Sequence, residues 1–190
     1  MNKTVNIIIS IINAFLTAYC AVGCVYIIFM GSGSAQQIPA FINLLSICAI
    51  AYYAISGYKK RSANAYKAVL VINALACLFS IYPSFFLEKT DPAVFPIRLG
   101  CLLCFAGYLV LAFVKDLGWK NSNNIIILIF FIYLCLYIIA AENKPGAVLG
   151  DGTIFDTMRI IRIQCMLVTT ANVGICNYFK YQDKKQRGSN

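Results

Sequence analysis

The sequence predicts an all-α membrane protein, a polytopic bundle of six transmembrane helices with both termini in the cytoplasm. Hydrophobic residues make up 61% of the 190 residues and charged residues 12%, and the mean hydropathy is +0.76. Soluble domains carry about a quarter charged residues, so this composition excludes that class. Long uncharged runs and basic residues gathered in alternate connections predict the spans and their orientation.

The apolar runs divide a single domain, residues 1–190, into six predicted helices. In order, these helices cover residues 5–30, 40–57, 68–87, 92–114, 125–141 and 153–179. The first run is too long for the apolar region of a signal peptide, so we interpret it as a transmembrane helix. A short basic cytoplasmic tail, residues 180–190, follows the sixth helix.

Proline residues mark the start of one helix and a bend in another. Pro39 occupies the first turn of helix 2, where the N–H that proline lacks would have no intrahelical partner. Pro83 predicts a kink near the outer end of helix 3, since the carbonyl of Phe79 loses its helical donor. Ser80 or Ser84 is available to bond the freed group.

The last three helices begin with capping residues. Asp91 followed by Pro92 predicts the start of helix 4. Residues 122–124, Ser-Asn-Asn, supply caps for helix 5, whose uniformly apolar surface predicts extensive lipid contact. Thr153 and Asp156 form a capping box that opens helix 6.

The positive-inside rule orients the bundle in the plasma (inner) membrane. The basic turn at residues 58–67 joins two uncharged runs and is therefore assigned to the cytoplasm. The resulting alternation places eleven of the sixteen basic residues inside and five of the seven acidic residues outside. Because the basic residues lie in short loops, the charge of +9 predicts contact with lipid headgroups and not with nucleic acid.

Three predicted helices carry a stripe of polar and small residues on one face. The stripes are Asn6, Ser10, Asn13, Thr17, Cys20 and Cys24 in helix 1, Asn73, Cys77, Ser80 and Ser84 in helix 3, and Arg162, Cys165, Thr169, Asn172 and Cys176 in helix 6. Steps of three and four residues keep each stripe on one helical face. Asn13, Asn73 and Asn172 lie at similar depth, roughly 9–15 Å from the inner basic residues, where they could meet.

Two interpretations of these stripes are open. Small and polar residues hold transmembrane helices together through close backbone approach and interhelical hydrogen bonds, so the stripes could serve packing alone. They could equally line a ligand site or an ion pathway. The candidate ligand-binding or pore-lining residues are Asn13, Thr17, Asn73, Cys77, Thr169 and Asn172.

A second group of candidates lies at the predicted outer face. Asp156, Arg159 and Arg162 begin helix 6, and Arg98 lies on helix 4. Asp156 and Arg159 are three residues apart, which is the spacing of a helical ion pair. The arginines could instead extend to the lipid headgroups or receive an anionic group that enters from outside.

The cysteines and the absence of histidine bear on catalysis. Cys101 and Cys104 form a CxxC motif in helix 4 and suggest, as a remote alternative, a thiol oxidoreductase that passes electrons to quinone. The nine cysteines lie mostly in apolar runs, and the chain has no histidine. We therefore expect no enzyme, no metal site and no cofactor, because the usual general base and zinc ligand are missing.

The pattern favours a transporter or a substrate-binding membrane subunit for a small solute, acting with a partner. The alternative is a non-enzymatic scaffold, a sensor or an oligomeric pore subunit. In either case we expect the chain to contact the lipid bilayer. It is also expected to form a homo-oligomer or to bind a partner protein through the cytoplasmic basic loop and tail.

Overall fold

The chain folds into helices throughout the part that a computed structural model describes. That part comprises residues 3–31, 33–53, 63–86, 90–114, 117–143 and 154–188, without the side chains of residues 3–7, 9, 10, 35, 86, 154–156 and 182–188. The α-helices there are α1 Lys3–Met30, α2 Ser34–Tyr52, α3 Ala63–Phe79, α4 Val94–Phe113, α5 Trp119–Asn143 and α6 Ile154–Gly188. A 3-10 helix, Tyr82–Phe86, follows α3. No strand occurs in these ranges.

Several helices are long and apolar enough to cross a bilayer, so the structure supports a multi-pass membrane protein. The five candidate spans in the described ranges are Ile11–Met30, Ala63–Phe85, Val94–Phe113, Trp119–Asn143 and Thr157–Tyr181. The apolar part of α2, Gln36–Tyr52, is shorter. Its seventeen residues extend about 26 Å, a few ångströms less than the hydrocarbon core of a typical bilayer.

The helices pack in a ring that follows the order of the chain. Each helix contacts the next one, and α1 contacts α6, which closes the ring. α6 also contacts α2 across the ring. Buried residues therefore make up 61% of the apolar span of α6, against 17% for α1. α1 instead presents large side chains such as Phe15 and Phe29, which are exposed as lipid-facing residues are.

Buried tyrosines connect the helices around the core. Tyr108 of α4 shares a hydrogen bond of 2.8 Å with Thr170 of α6. The hydroxyl of Tyr133 on α5 donates to the sulfur of Cys77 on α3 at 3.1 Å. Both tyrosines are at most 1% exposed, and their hydroxyls are satisfied as buried polar groups require.

Three helices extend further into the predicted inner segments than the apolar runs suggested. α3 begins at Ala63 inside the predicted basic turn, α5 begins at Trp119, and α6 continues to Gly188. Lys, Gln and Arg are good helix formers, so a helix need not end where its hydrophobicity ends. Residues 54–62, and with them much of the predicted basic turn, lie outside the described residues, as does the outer loop at 144–153.

The predicted break near Pro83 separates α3 from the 3-10 helix. α3 ends at Phe79, and Pro83 lies in the 3-10 helix that starts at Tyr82. The two serines bond carbonyls other than that of Phe79: Ser80 Oγ donates to the carbonyl of Ala76 at 2.7 Å, and Ser84 Oγ donates to that of Ile81 at 2.6 Å. Ser84 thereby stabilises the tighter turn and not the end of α3.

Asp91 organises the entry to α4, two residues further along the chain than the capping pattern indicated. Its carboxylate accepts a hydrogen bond from the backbone N–H of Ala93 at 2.8 Å, and its carbonyl accepts one from the N–H of Val94 at 3.1 Å. α4 then begins at Val94. A difference of this size is common at helix ends.

Candidate functional site

The polar stripes of α1 and α6 face each other. The side-chain amide of Asn13 donates to the side-chain oxygen of Asn172. The amide of Asn172 donates in turn to Thr17 Oγ1 at 3.1 Å, and Thr17 Oγ1 donates to the carbonyl of Asn13 at 2.7 Å. We refer to Asn13, Thr17 and Asn172 as the amide cluster.

Close antiparallel packing of α1 and α6 brings the cluster together. Asn13 of α1 bonds Asn172 of α6. Cys24, which comes later in α1, contacts Cys165, which comes earlier in α6, with 3.5 Å between the sulfurs. Gly23 allows this approach, since a Cβ at that position would lie 2.8 Å from Cγ2 of Ile161. A glycine at the contact of two transmembrane helices permits such a short separation.

Beside the amide cluster, residues of α1, α2 and α6 line a groove of about 800 Å³. The lining residues are Asn13, Ala14, Thr17, Ala18, Ala21, Ile47, Cys48, Ile50, Ala51, Asn172, Ile175, Cys176 and Phe179. Ala14, Ala18 and Cys48 are exposed, so the groove is open along one side. Its volume falls in the range of roughly 300–1,000 Å³ that small-molecule sites occupy.

The chemistry of the groove is apolar with one polar wall. Four alanines leave its space unfilled, and isoleucines and Phe179 supply most of the remaining surface. The amide cluster provides carboxamide and hydroxyl groups that both donate and accept hydrogen bonds. No acidic or basic side chain belongs to the lining that the described residues form. A charged ligand would therefore find no counterion there.

The structure places the other residues of the predicted ligand site elsewhere. Asn73 is fully buried and accepts a hydrogen bond from Ser46 of α2 at 3.0 Å. Cys77 contacts Tyr133 of α5. Thr169 is buried and bonds the carbonyl of Cys165 within its own helix at 2.6 Å. The structure thus brings Asn13, Thr17 and Asn172 together and separates Asn73, Cys77 and Thr169 from the groove lining.

Of the predicted outer-face arginines, Arg159 and Arg162 line one small cavity, whereas Arg98 lines a different one. Arg159 forms an ion pair with Asp91 at 3.1 Å. Arg98 donates through Nε to Ser84 Oγ at 3.0 Å, and its guanidinium lies 4.5 Å from the ring centre of Phe85. Arg162 is 5% exposed, with no hydrogen-bond partner for Nη1 among the described residues. The side chain of Asp156 lies outside the described residues.

The predicted thiol pair is buried inside the bundle. Cys101 is 3% exposed and Cys104 is fully buried, and both thiols are free. Cys104 Sγ lies 3.9 Å from the carbonyl of Ile129 on α5. Exchange with a second thiol requires access to the sulfur, so this burial weighs against the redox alternative.

Sequence reasoning did not single out the polar residues of α2. Gln36, Asn43 and Ser46 are buried, and they recur at intervals of seven and three residues, which is a helical spacing. Asn43 is 1% exposed, and the described residues offer no partner to its side-chain amide. The spacing was the available signal, but it was concealed by the high hydrophobicity of the surrounding residues.

Comparisons with known proteins give this chain no family: no family model, no curated protein and no solved structure matches it.

Proposed function

We propose that this chain is a substrate-binding subunit of a membrane transport system and that the groove between α1, α2 and α6 binds a small neutral solute. One observation carries the proposal: the hydrogen-bonding amide cluster forms one wall of a groove of about 800 Å³. Pockets that bind small molecules have this character, with mostly apolar walls and a few convergent polar groups.

The lining defines the class of solute. Its apolar walls favour a largely hydrophobic body, and the amide cluster favours one uncharged polar group that can exchange hydrogen bonds with carboxamides. Ala14 and Ala18 lie on the open side of the groove, and both are within the apolar span of α1. A solute of this kind would enter sideways from the lipid, because it already partitions into the bilayer.

Six spans with cytoplasmic termini are part of the proposal. Antiparallel packing of α1 and α6 supports it, since an even number of crossings returns the chain to the side on which it began. The predicted inner helix ends also carry aromatic and basic contacts. Trp119 stacks on Tyr181 with 4.7 Å between ring centres, and the ammonium of Lys67 lies 4.4 Å from the ring centre of Phe113. Such pairs are typical of a membrane interface.

We also propose a partner protein on the cytoplasmic side. The predicted basic turn, 58–67, and the basic tail, 180–190, are the surfaces assigned to it. Their positive charge supports a partner with an acidic docking surface.

The test fills the groove without disturbing the core. Ala18→Phe places a large side chain at an exposed alanine of the groove, and Ala106→Phe makes the same change at an exposed alanine of α4 outside it. Each protein is purified and extracted with organic solvent, and the released molecules are identified by mass spectrometry. We expect wild type and Ala106→Phe to release the same neutral solute, and Ala18→Phe to release none.

A second variant tests the polar wall. Asn172→Leu keeps the size of the side chain but removes the carboxamide, so affinity for the identified solute should fall about tenfold. The proposal fails if wild type releases only bilayer lipids, or if Ala18→Phe still binds the solute.

A second candidate, an oligomeric scaffold or pore, is favoured by a specific observation on α1. Ala14 and Ala18 are exposed and lie one turn apart, a pattern of small residues that lets another transmembrane helix approach closely. If the protein is such an oligomer, a helix from a second copy of the chain fills the groove. Native mass spectrometry then shows an oligomer that Ala18→Phe dissociates and Ala106→Phe preserves.

A further inference from the structure

A separate cavity lies nearer the start of α6 than the amide cluster does. Arg162 and Asn172 are ten residues apart, or about 15 Å along the helix. Around Arg162, Ser80, the 3-10 helix and parts of α4, α5 and α6 line a cavity of about 30 Å³. Its polar lining residues are Ser80, Ser84, Cys101, Tyr133, Arg159 and Arg162.

The arginine in this cavity is buried without a complete set of partners. Arg162 is 5% exposed, and Nη1 has no hydrogen-bond partner among the described residues. A guanidinium stays protonated in proteins, so it cannot relieve its burial by losing a proton. A buried charge without a counterion is strongly unfavourable, above all at membrane depth.

Among the described side chains, no acidic group pairs with Arg162. Asp91 pairs with Arg159. Glu142 at the end of α5 is exposed. Within the described part of the chain, the charge of Arg162 therefore has no counterion.

The neighbouring hydroxyl groups already donate elsewhere. Ser80 donates to the carbonyl of Ala76, Ser84 to that of Ile81, and Tyr133 to the sulfur of Cys77. Among the described residues, Arg162 Nη1 is therefore a donor of this cavity that lacks an acceptor, whereas Arg159, which also lines the cavity, is paired with Asp91.

We propose that the cavity binds a halide ion, which neutralises Arg162. Its volume accommodates one or two particles of the size of water, which suits chloride or bromide better than the larger phosphate and sulfate. Water in the cavity would satisfy the N–H group but leave the charge uncompensated. A halide supplies both an acceptor and the opposite charge.

The test measures thermal unfolding of the purified full chain in sodium salts at equal ionic strength. Saturating chloride or bromide should raise the unfolding temperature by about 5 °C relative to gluconate. Arg162→Met should abolish this difference. Lys67→Gln removes one positive charge from an exposed residue of α3, so it should retain the full response and serves as the matched control.

Direct binding keeps the proposal testable if Arg162→Met fails to fold. Wild type in equilibrium dialysis should bind radioactive chloride at one saturable site, displaced by bromide but not by sulfate. An unfolding temperature that does not depend on the anion indicates water and overturns the proposal, as does the absence of saturable binding. Equal displacement by sulfate or an unchanged response in Arg162→Met would also overturn it. Ala18→Phe should leave the halide effect intact, which separates this site from the groove.

Discussion

Gly100 of α4 lies so close to Leu136 of α5 that a Cβ at Gly100 would be 2.8 Å from Leu136 Cδ1. Gly107, two turns further along α4, makes the same kind of approach to Ile129, with 2.9 Å to Cδ1. The two glycines therefore serve packing between helices of one chain. A small residue at these positions lets α4 and α5 interlock with aliphatic side chains.

Gly100→Leu should destabilise the protein by about 1–3 kcal/mol, because the added side chain overpacks a buried contact. Unfolding measured in mixed micelles with increasing denaturing detergent checks this. Adding Leu136→Ala should recover part of the loss by making space. The oligomeric state should not change, and a shift in it would show that Gly100 contacts another copy.

The hydrogen bond from Ser46 to Asn73 predicts energetic coupling between α2 and α3. In a double-mutant cycle, Ser46→Ala and Asn73→Ala should interact by about 0.6 kcal/mol, and at most about 1.7, as hydrogen bonds between transmembrane helices do. The control cycle pairs Asn73→Ala with Asn172→Ala. These two asparagines share no hydrogen-bond partner among the described residues, so their effects should be additive. Coupling between Asn73 and Asn172, without coupling between Ser46 and Asn73, would contradict the hydrogen-bond pattern described above.

The contact of Cys24 and Cys165 predicts efficient cross-linking. In a variant that keeps only these two cysteines, oxidation by copper–phenanthroline should form a disulfide, since the sulfurs are 3.5 Å apart. A protease site between Pro145 and Gly146 allows the fragments to be separated on a gel. They should stay joined after oxidation until reductant is added.

The control for this cross-link keeps Cys24 with Cys176. Cys176 is eleven residues beyond Cys165 on α6, or about 16 Å along the helix, so its fragments should separate. Equal cross-linking of both pairs would indicate that α1 slides against α6.

The proposed orientation predicts the behaviour of topology reporters. Green fluorescent protein fused after Asn190 should fluoresce in the bacterial cytoplasm, and alkaline phosphatase at the same point should be inactive. Alkaline phosphatase inserted after Gly146 should be active, because the predicted outer loop faces the oxidising side. The reverse reporter pattern would indicate the opposite orientation of the bundle, in which the amide cluster lies near the outer face.

The positions of the apolar helices were predictable from the sequence. A helix in lipid must satisfy its backbone internally and carry an apolar surface, and both requirements act along the chain itself. The apolar runs and Pro83 therefore located most helices and the break after α3. The predicted start of helix 2 was wrong, because α2 begins at Ser34 and Pro39 lies inside it, beyond the first turn. Helix ends in polar segments such as residues 119–124 were less predictable, since neither hydrophobicity nor propensity determines them alone.

The tertiary structure alone decided which polar groups meet. Asn13, Asn73 and Asn172 are chemically identical and similarly placed in their helices, yet Asn13 bonds Asn172 while Asn73 bonds Ser46. A carboxamide accepts many partners, so its neighbour depends on how each helix is rotated and which helix lies beside it. Packing of the whole ring sets that rotation. It also decides where α1, α2 and α6 leave a groove and where Arg162 is buried.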